Sequence, residues 1–209
     1  MIELFQHLFH LDFQWIVNEY QSAIYLVLFL VIFIETGLVI MPFLPGDSLL
    51  FTAGLFAASG DLKISYVLIL LFIAAILGDS VNYWIGRKLG LGVFEWKINQ
   101  KQLVKPEYLT KTEAFFAKNG TKAIIMARFV PFVRTFTPFA AGVGKMNYRK
   151  FLLFDLLGGF LWIFSLTLAG YFLGNIEWIR LNIEKVCLGI IFISVLPMLI
   201  SFLKSKSNK

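Results

Sequence analysis

The chain has 209 residues, of which 58% are hydrophobic and 15% charged, with a formal net charge of +6 and a mean hydropathy of +0.77. A soluble globular domain is nearer about 50% apolar and about 25% charged, and several apolar runs here approach the roughly 20 residues a helix needs to cross a bilayer, so the class is helical integral membrane protein. The lone Cys187 excludes an internal disulfide, a zinc site and a redox pair, and in so apolar a chain the basic balance reads as membrane orientation and contact with anionic lipid, not nucleic-acid binding.

Residues 1–22 mix apolar and polar positions, with Leu4, Leu8, Leu11, Trp15 and Ile16 at helical spacing. They predict an amphipathic helix on the membrane surface. His7 and His10 lie here, far from other metal-ligand candidates, and read as interfacial side chains. No basic segment precedes the apolar part, so no cleavable signal peptide is expected. Residues 23–41 are apolar except for Glu35 and Thr36, and P-F-L-P-G-D-S at 42–48 must break the helix. The next apolar run, 49–58, is too short to span. Residues 24–58 therefore predict helix, break and half-helix, a re-entrant hairpin whose first arm is either a hairpin arm or a full crossing.

Residues 64–85 can span, with Asp79 and Asn82 near their end. The stretch 86–122 is rich in Lys and Arg and reads as the cytoplasmic loop. Within it, 106–119 predicts an amphipathic helix opened by Pro106 and stopped by Asn119-Gly120. Residues 127–144 read A-R-F-V-P-F-V-R-T-F-T-P-F-A-A-G-V-G, a second broken apolar segment. Residues 151–173 span again, with Asp155 near their start, and 185–203 form the last crossing before a basic, cytoplasmic tail. The fold class expected is an all-α integral membrane protein in a single domain. It comprises an amphipathic segment 1–22, a first repeat 23–90, a basic loop 91–121, a second repeat 122–174 and a C-terminal transmembrane helix 185–203.

The halves echo each other. Pro42-Phe43 precedes Ala53-Gly54, Pro131-Phe132 precedes Ala141-Gly142, and each is followed by a span ending in G-x-x-L-G, at 86–90 and 170–174. With a cytoplasmic central loop, the first hairpin dips from outside and the second from the cytoplasm. That is the inverted repeat of secondary transporters, whose broken helices meet near the midplane.

Four ionisable residues fall where lipid belongs: Glu35, Asp47, Arg128 and Arg134. An arginine at the bilayer centre costs about 2.5–3.5 kcal/mol on insertion scales, so each needs an explanation. Asp47, after Pro45 and Gly46, can N-cap the half-helix that follows. Glu35 can be a static partner of an arginine, and Arg128 can snorkel to the interface. Arg134 stands between two prolines, beside Thr135 and Thr137. Thr137-Pro138 reads as an N-cap and first helical residue, which would aim a helix N-terminus at the guanidinium and make an anion site suited to phosphate or carboxylate. Two acids and two arginines balance in charge, and an anionic substrate that displaced an acid from an arginine would leave it able to take up a proton.

The segments E-T-G-L-V-I-M-P-F-L-P-G-D-S-L-L-F at 35–51, G-D-S-V-N-Y-W-I-G-R at 78–87 and A-R-F-V-P-F-V-R-T-F-T-P-F-A-A-G at 127–142 closely resemble bacterial DedA membrane proteins, relatives of the eukaryotic VTT (SNARE-associated Golgi) lipid scramblases. The resemblance covers essentially the whole chain. It implies two inverted re-entrant hairpins, each packed on a transmembrane helix, in the bacterial inner membrane. It also implies a link to undecaprenyl phosphate recycling, phospholipid flipping and proton-motive-force-dependent cation and drug tolerance. The family's functional acids fall on Glu35 and Asp47, and its functional arginines on Arg128 and Arg134.

The expected function is movement of a phosphate-bearing lipid, with Arg128 and Arg134 on the phosphate and Glu35 and Asp47 handling protons. Pro45, Gly46, Asp79, Asn82, Thr135, Thr137 and Pro138 support the site. No cofactor or metal is implied, and a homo-oligomer is allowed. The alternative within transport is a proton-coupled cation or drug antiporter, which the arginines disfavour because they repel cations. A membrane phosphatase or transferase needs a nucleophile or a metal cluster, so no enzyme is expected. A purely structural protein leaves the buried charges as an unnecessary cost.

Overall fold

The computed structural model describes residues 21–38, 46–90, 97–98, 101–102, 120–130, 133–182, 185–186 and 189. The N-terminal amphipathic helix, the helix expected over 106–119, Pro45, Pro131 and nearly all of the crossing expected at 185–203 lie outside them. In chain order the helices are α1 (Gln21–Gly37), α2 (Gly46–Ala58), α3 (Ile64–Leu89), α4 (Ala123–Ala127), α5 (Val133–Val143), α6 (Tyr148–Gly174) and α7 (Glu177–Leu181). A 3-10 turn, Gly120–Lys122, leads into α4. Among the described residues, the departure from an all-α chain is a two-residue antiparallel pair, β1 (Lys97–Ile98) with β2 (Lys101–Gln102), in the basic loop.

Among the described residues, α3 and α6 alone are long and apolar enough to cross a membrane. Their 26 and 27 residues give about 40 Å of helix each. The 13 residues of α2 and 11 of α5 reach only about 20 Å, short of the roughly 30 Å hydrocarbon core. Along α3 the apolar residues Tyr66, Ile69, Ile73, Leu77, Val81 and Trp84 are exposed on one face, while Asp79, Asn82 and Tyr83 are buried on the other. A helix that turns its large apolar side chains outward and its charge inward is dressed for lipid.

Local chemistry sets the helix ends. α6 begins where Asn147 Oδ1 accepts the backbone N–H groups of Arg149 at 3.0 Å and Lys150 at 3.3 Å, an N-cap. α2 ends at Gly60, whose φ of 94° lets the Asp61 N–H reach back to the Phe56 carbonyl at 3.1 Å. α5 ends in the same way, with Lys145 at φ 52° and the Met146 N–H on the Ala141 carbonyl at 3.0 Å.

The chain packs as two units. In the first, built from Met1–Leu28, Pro45–Leu70 and Phe164–Lys209, α2 lies against the C-terminal part of α6. A Cβ at Gly54 would run into the Thr167 carbonyl, and one at Gly170 into the Phe51 carbonyl. Leu55 is fully buried there among Phe51, Phe56, Ile179 and Val186. In the second unit, Phe29–Leu44 and Leu71–Ile163, α5 lies against the C-terminal part of α3. A Cβ at Gly142 would meet the Tyr83 carbonyl, and one at Gly86 the Phe139 carbonyl. Its core gathers Tyr83, Ile124, Ala141 and Phe151, with the Tyr83 and Phe151 rings stacked 4.9 Å apart.

Both motif glycine sets of the sequence thus make backbone-to-backbone contacts. They do so crosswise: the half-helix of one half packs on the long helix of the other.

Candidate functional site

The buried and nearly buried charged side chains described in the second unit fall into two neighbouring sets. Arg128 follows α4 as its C-cap residue, its N–H bonded to the Ile125 carbonyl at 3.3 Å. Its side chain does not snorkel; it is 4% exposed. Nη2 alone serves two carboxylates, Asp79 on α3 and Asp155 on α6, the latter at 2.6 Å. Asp79 and Asp155 are each 1% exposed. The arginine fits because two glycines of α6 make room. A Cβ at Gly158 would stand 3.2 Å from Arg128 Cγ, and one at Gly159 3.5 Å from Nη2.

Arg134 lies in the first turn of α5, its N–H on the Val130 carbonyl at 3.1 Å. Its Nη2 meets Glu35 Oε1 of α1 at 2.7 Å, the two side chains 11% and 1% exposed. The indole of Trp162 on α6 lies beneath both arginines, its centre 4.6 Å from the Arg134 guanidinium carbon and 5.7 Å from that of Arg128, within cation–π range. Asn82 joins the elements that carry the second pair. Its Nδ2 donates to the carbonyl of Thr36 at 3.0 Å and to that of Thr135 at 2.8 Å. Thr36 marks the close crossing of α1 on α3, where a Cβ at Gly78 would strike its Oγ1.

One expected detail is corrected. Thr137-Pro138 does not start a helix: α5 begins at Val133 and runs through Pro138. Thr137 Oγ1 donates to the Val133 carbonyl at 2.7 Å, so the hydroxyl is spent inside the helix and not on a cap. Pro138 brings no N–H for the Arg134 carbonyl four residues back. The start of the helix moves to Arg134 itself, which puts a guanidinium beside the positive end of the helix dipole. That placement is unfavourable unless an anion sits with it, and Glu35 supplies the negative charge.

Of the sequence-predicted residues, Glu35, Arg134, Asn82, Thr135, Asp79 and Arg128 converge in this unit. Thr137 and Pro138 are buried in α5. Asp47 stands exposed in the first turn of α2, with Gly46 buried as its first residue; both belong to the other unit. The carboxylates on Arg128 are those of Asp79 and Asp155, not of Glu35 or Asp47. Asp155, Gly158, Gly159 and Trp162 were not among the expected site residues. Their i, i+3, i+4, i+7 spacing puts them on one helix face, and that is the signal that could have found them. Among the described residues no group of three or more His, Cys, Asp or Glu side chains is arranged to hold a metal ion.

Arranged this way, the site can hold an anion on Arg134 in exchange for Glu35, and it can hold charge in a dry interior on Arg128. The model of the VTT domain family matches residues 44–172. Over 207 residues the chain is 46% identical to the Escherichia coli protein DedA, covering 97% of this chain and 94% of that one. It is 48% identical over 171 residues to a membrane protein of Mycobacterium leprae, covering 82% and 76% of the two chains. With the Escherichia coli inner membrane protein YqjA it shares 37% identity over 178 residues, 84% of this chain and 79% of that one. No solved structure matches it. With a family model over most of its length and a near full-length relative, the chain belongs to the DedA family of VTT-domain membrane proteins.

Proposed function

We propose that this protein moves a phosphate-bearing lipid, such as undecaprenyl phosphate or a phospholipid, across the bacterial inner membrane, and that a proton accompanies the exchange. The observation that carries this reading is the Arg134–Glu35 pair. The Glu35 carboxylate holds a guanidinium placed in the first turn of a helix and stacked on Trp162. A lipid phosphate is a better ligand for that position, because it meets the guanidinium with two oxygens and the helix end with a full negative charge. Glu35, displaced into a low-dielectric interior, then takes a proton, and releasing it restores the pair. Arg128 accepts phosphate only after Asp79 or Asp155 lets go, so Arg134 binds first. Asp47, exposed at the start of α2, is the second acid of the cycle. The acyl chains remain in the surrounding lipid.

The matching glycine crossings and the matching ends of α2 and α5 support an inverted-topology repeat of two re-entrant hairpins, the usual build of an alternating-access carrier. The excess of Lys and Arg in the stretch 86–122 and in the tail supports a cytoplasmic side for both. Vesicles reconstituted with the purified protein and fluorescent undecaprenyl phosphate, or fluorescent phospholipid, test the proposal. Flipping should be faster than in protein-free vesicles and should fall at least tenfold in Arg134→Ala. Equal rates with and without protein would sink it.

A further inference from the structure

We propose that the Asp79–Arg128–Asp155 cluster is a proton-binding site in which the two carboxyls share one proton. This inference goes beyond the lipid reading and stands independently of it. Two carboxylates and one guanidinium, all at most 4% exposed, leave one excess negative charge in a water-poor interior, where an uncompensated charge is not tolerated. The other charges that face the cluster do not remove the excess. Arg134 on α5 is within electrostatic reach of Asp79, but Glu35 on α1 already pairs with it. α4 contributes Arg128 itself, and α3 and α6 contribute the two acids.

Geometry says where the proton goes. Both acids converge on the same nitrogen, Nη2, which brings an oxygen of one close to an oxygen of the other. Two ionised carboxylates have no hydrogen to put between them, whereas a carboxylic acid and a carboxylate do, which is how paired acids elsewhere come to hold one proton in common. Within the cluster, Arg128 Nη1, Asp155 Oδ2 and Asp79 Oδ2 have no hydrogen-bond partner among the described residues, although the last is ion-paired with Nη2. A donor on the arginine and an oxygen on each acid therefore remain for the proton or a water that delivers it. A Cβ at Gly158 would crowd Arg128 Cγ at 3.2 Å, whereas one at Gly159 would meet Nη2 at an ordinary contact distance of 3.5 Å. On loading, a proton from water adds to a carboxylate oxygen and the cluster becomes neutral. On unloading, the same proton returns to water and the negative charge reappears.

Infrared spectroscopy of the full chain in lipid, with aspartate carboxyls labelled with carbon-13, reads this directly. At neutral pH one protonated aspartic acid per chain is expected, its carbonyl band shifted by the label. Asp79→Asn and Asp155→Asn should each abolish the band, because each removes the excess charge, while Glu35→Gln leaves it in place. No label-sensitive carboxylic acid band in the wild type would overturn the proposal. So would a band that survives in either single variant, or one lost when sodium or potassium is added. Should neither variant fold, the presence or absence of the labelled band in the wild type decides alone.

Discussion

Arg134 and Glu35, 99 positions apart in the chain, meet with Nη2 and Oε1 2.7 Å apart, and the Trp162 ring lies 4.6 Å beneath the guanidinium. Glu35 is 1% exposed, and its partner occupies a helix end that disfavours cations. The pair thus joins a buried acid to a guanidinium at a helix end, and on the proposed function an anion that satisfies Arg134 replaces Glu35.

Replacing Glu35 with Gln tests that exchange. The variant keeps the shape of the side chain and removes its charge, taking a buried carboxylate from Arg134 at a cost of about 3 kcal/mol or more. An added lipid phosphate should recover most of the loss, since a ligand stabilises whatever it binds. Thermal unfolding in detergent, with and without undecaprenyl phosphate, should give a larger ligand-induced rise in Tm for Glu35→Gln than for the wild type. Arg134→Lys should give almost none, because an ammonium offers neither the planar fork nor the stacking on Trp162.

The Arg128 cluster should respond differently. Arg128→Met strands Asp79 and Asp155 in the interior and is expected to cost about 3–5 kcal/mol. Combining it with Asp79→Asn and Asp155→Asn removes all three charges and should recover much of that loss. Arg128→Lys should be milder than Arg128→Met, because both acids use one nitrogen, Nη2, and an ammonium can serve both. Chemical or thermal unfolding of the four proteins in one detergent orders them.

Much of this arrangement was legible in the sequence because sterics leaves few options for small residues in apolar helices. The Ala-Gly pairs at 53–54 and 141–142 and the G-x-x-L-G ends at 86–90 and 170–174 marked matching positions in the two halves, and Gly54, Gly142, Gly86 and Gly170 make close backbone contacts there. What pattern could not supply was the partner. A glycine states that something comes close, not which helix it is, and the crosswise pairing of α2 with α6 and of α5 with α3 is a tertiary outcome. Arg128 shows the same limit. Charge balance demanded an acid, but the choice of Asp79 and Asp155 depends on which helix faces turn toward one another. Thr137-Pro138 misled for a local reason, since the same dipeptide serves an N-cap or a strained helix interior, and the Val133 carbonyl decided between them.

Asn82 makes a sharper test of how the Arg134 pair is positioned. Its amide donates to the carbonyls that end α1 and begin α5, at Thr36 and Thr135. Asn82→Asp keeps the shape but turns a donor into an acceptor facing two acceptors. It should cost about 2–3 kcal/mol and slow flipping at least tenfold. Asn82→Leu should cost a similar amount by removing both hydrogen bonds. Retention of wild-type stability by Asn82→Asp, measured by thermal unfolding, would mean that the amide does not tie the two helices.

The two glycine crossings should behave as a matched pair. At Gly142 a Cβ would collide with the Tyr83 carbonyl and stand 2.8 Å from the Arg87 nitrogen; at Gly54 it would collide with the Thr167 carbonyl and stand 2.8 Å from the Tyr171 nitrogen. Neither collision can be relieved by a rotamer change, because both obstacles are helix backbone, so the helices must separate. Gly54→Ala and Gly142→Ala are each expected to cost about 3 kcal/mol, the upper end for overpacking, and to lower Tm by similar amounts. Gly60→Ala provides the contrast. Nothing lies within 4 Å of its added Cβ, and only its φ of 94° is unfavourable, a strain of about 1–2 kcal/mol. If Gly54→Ala and Gly142→Ala differed from each other more than either differs from Gly60→Ala, the equivalence of the two crossings would fail, and with it the support they lend to a repeat.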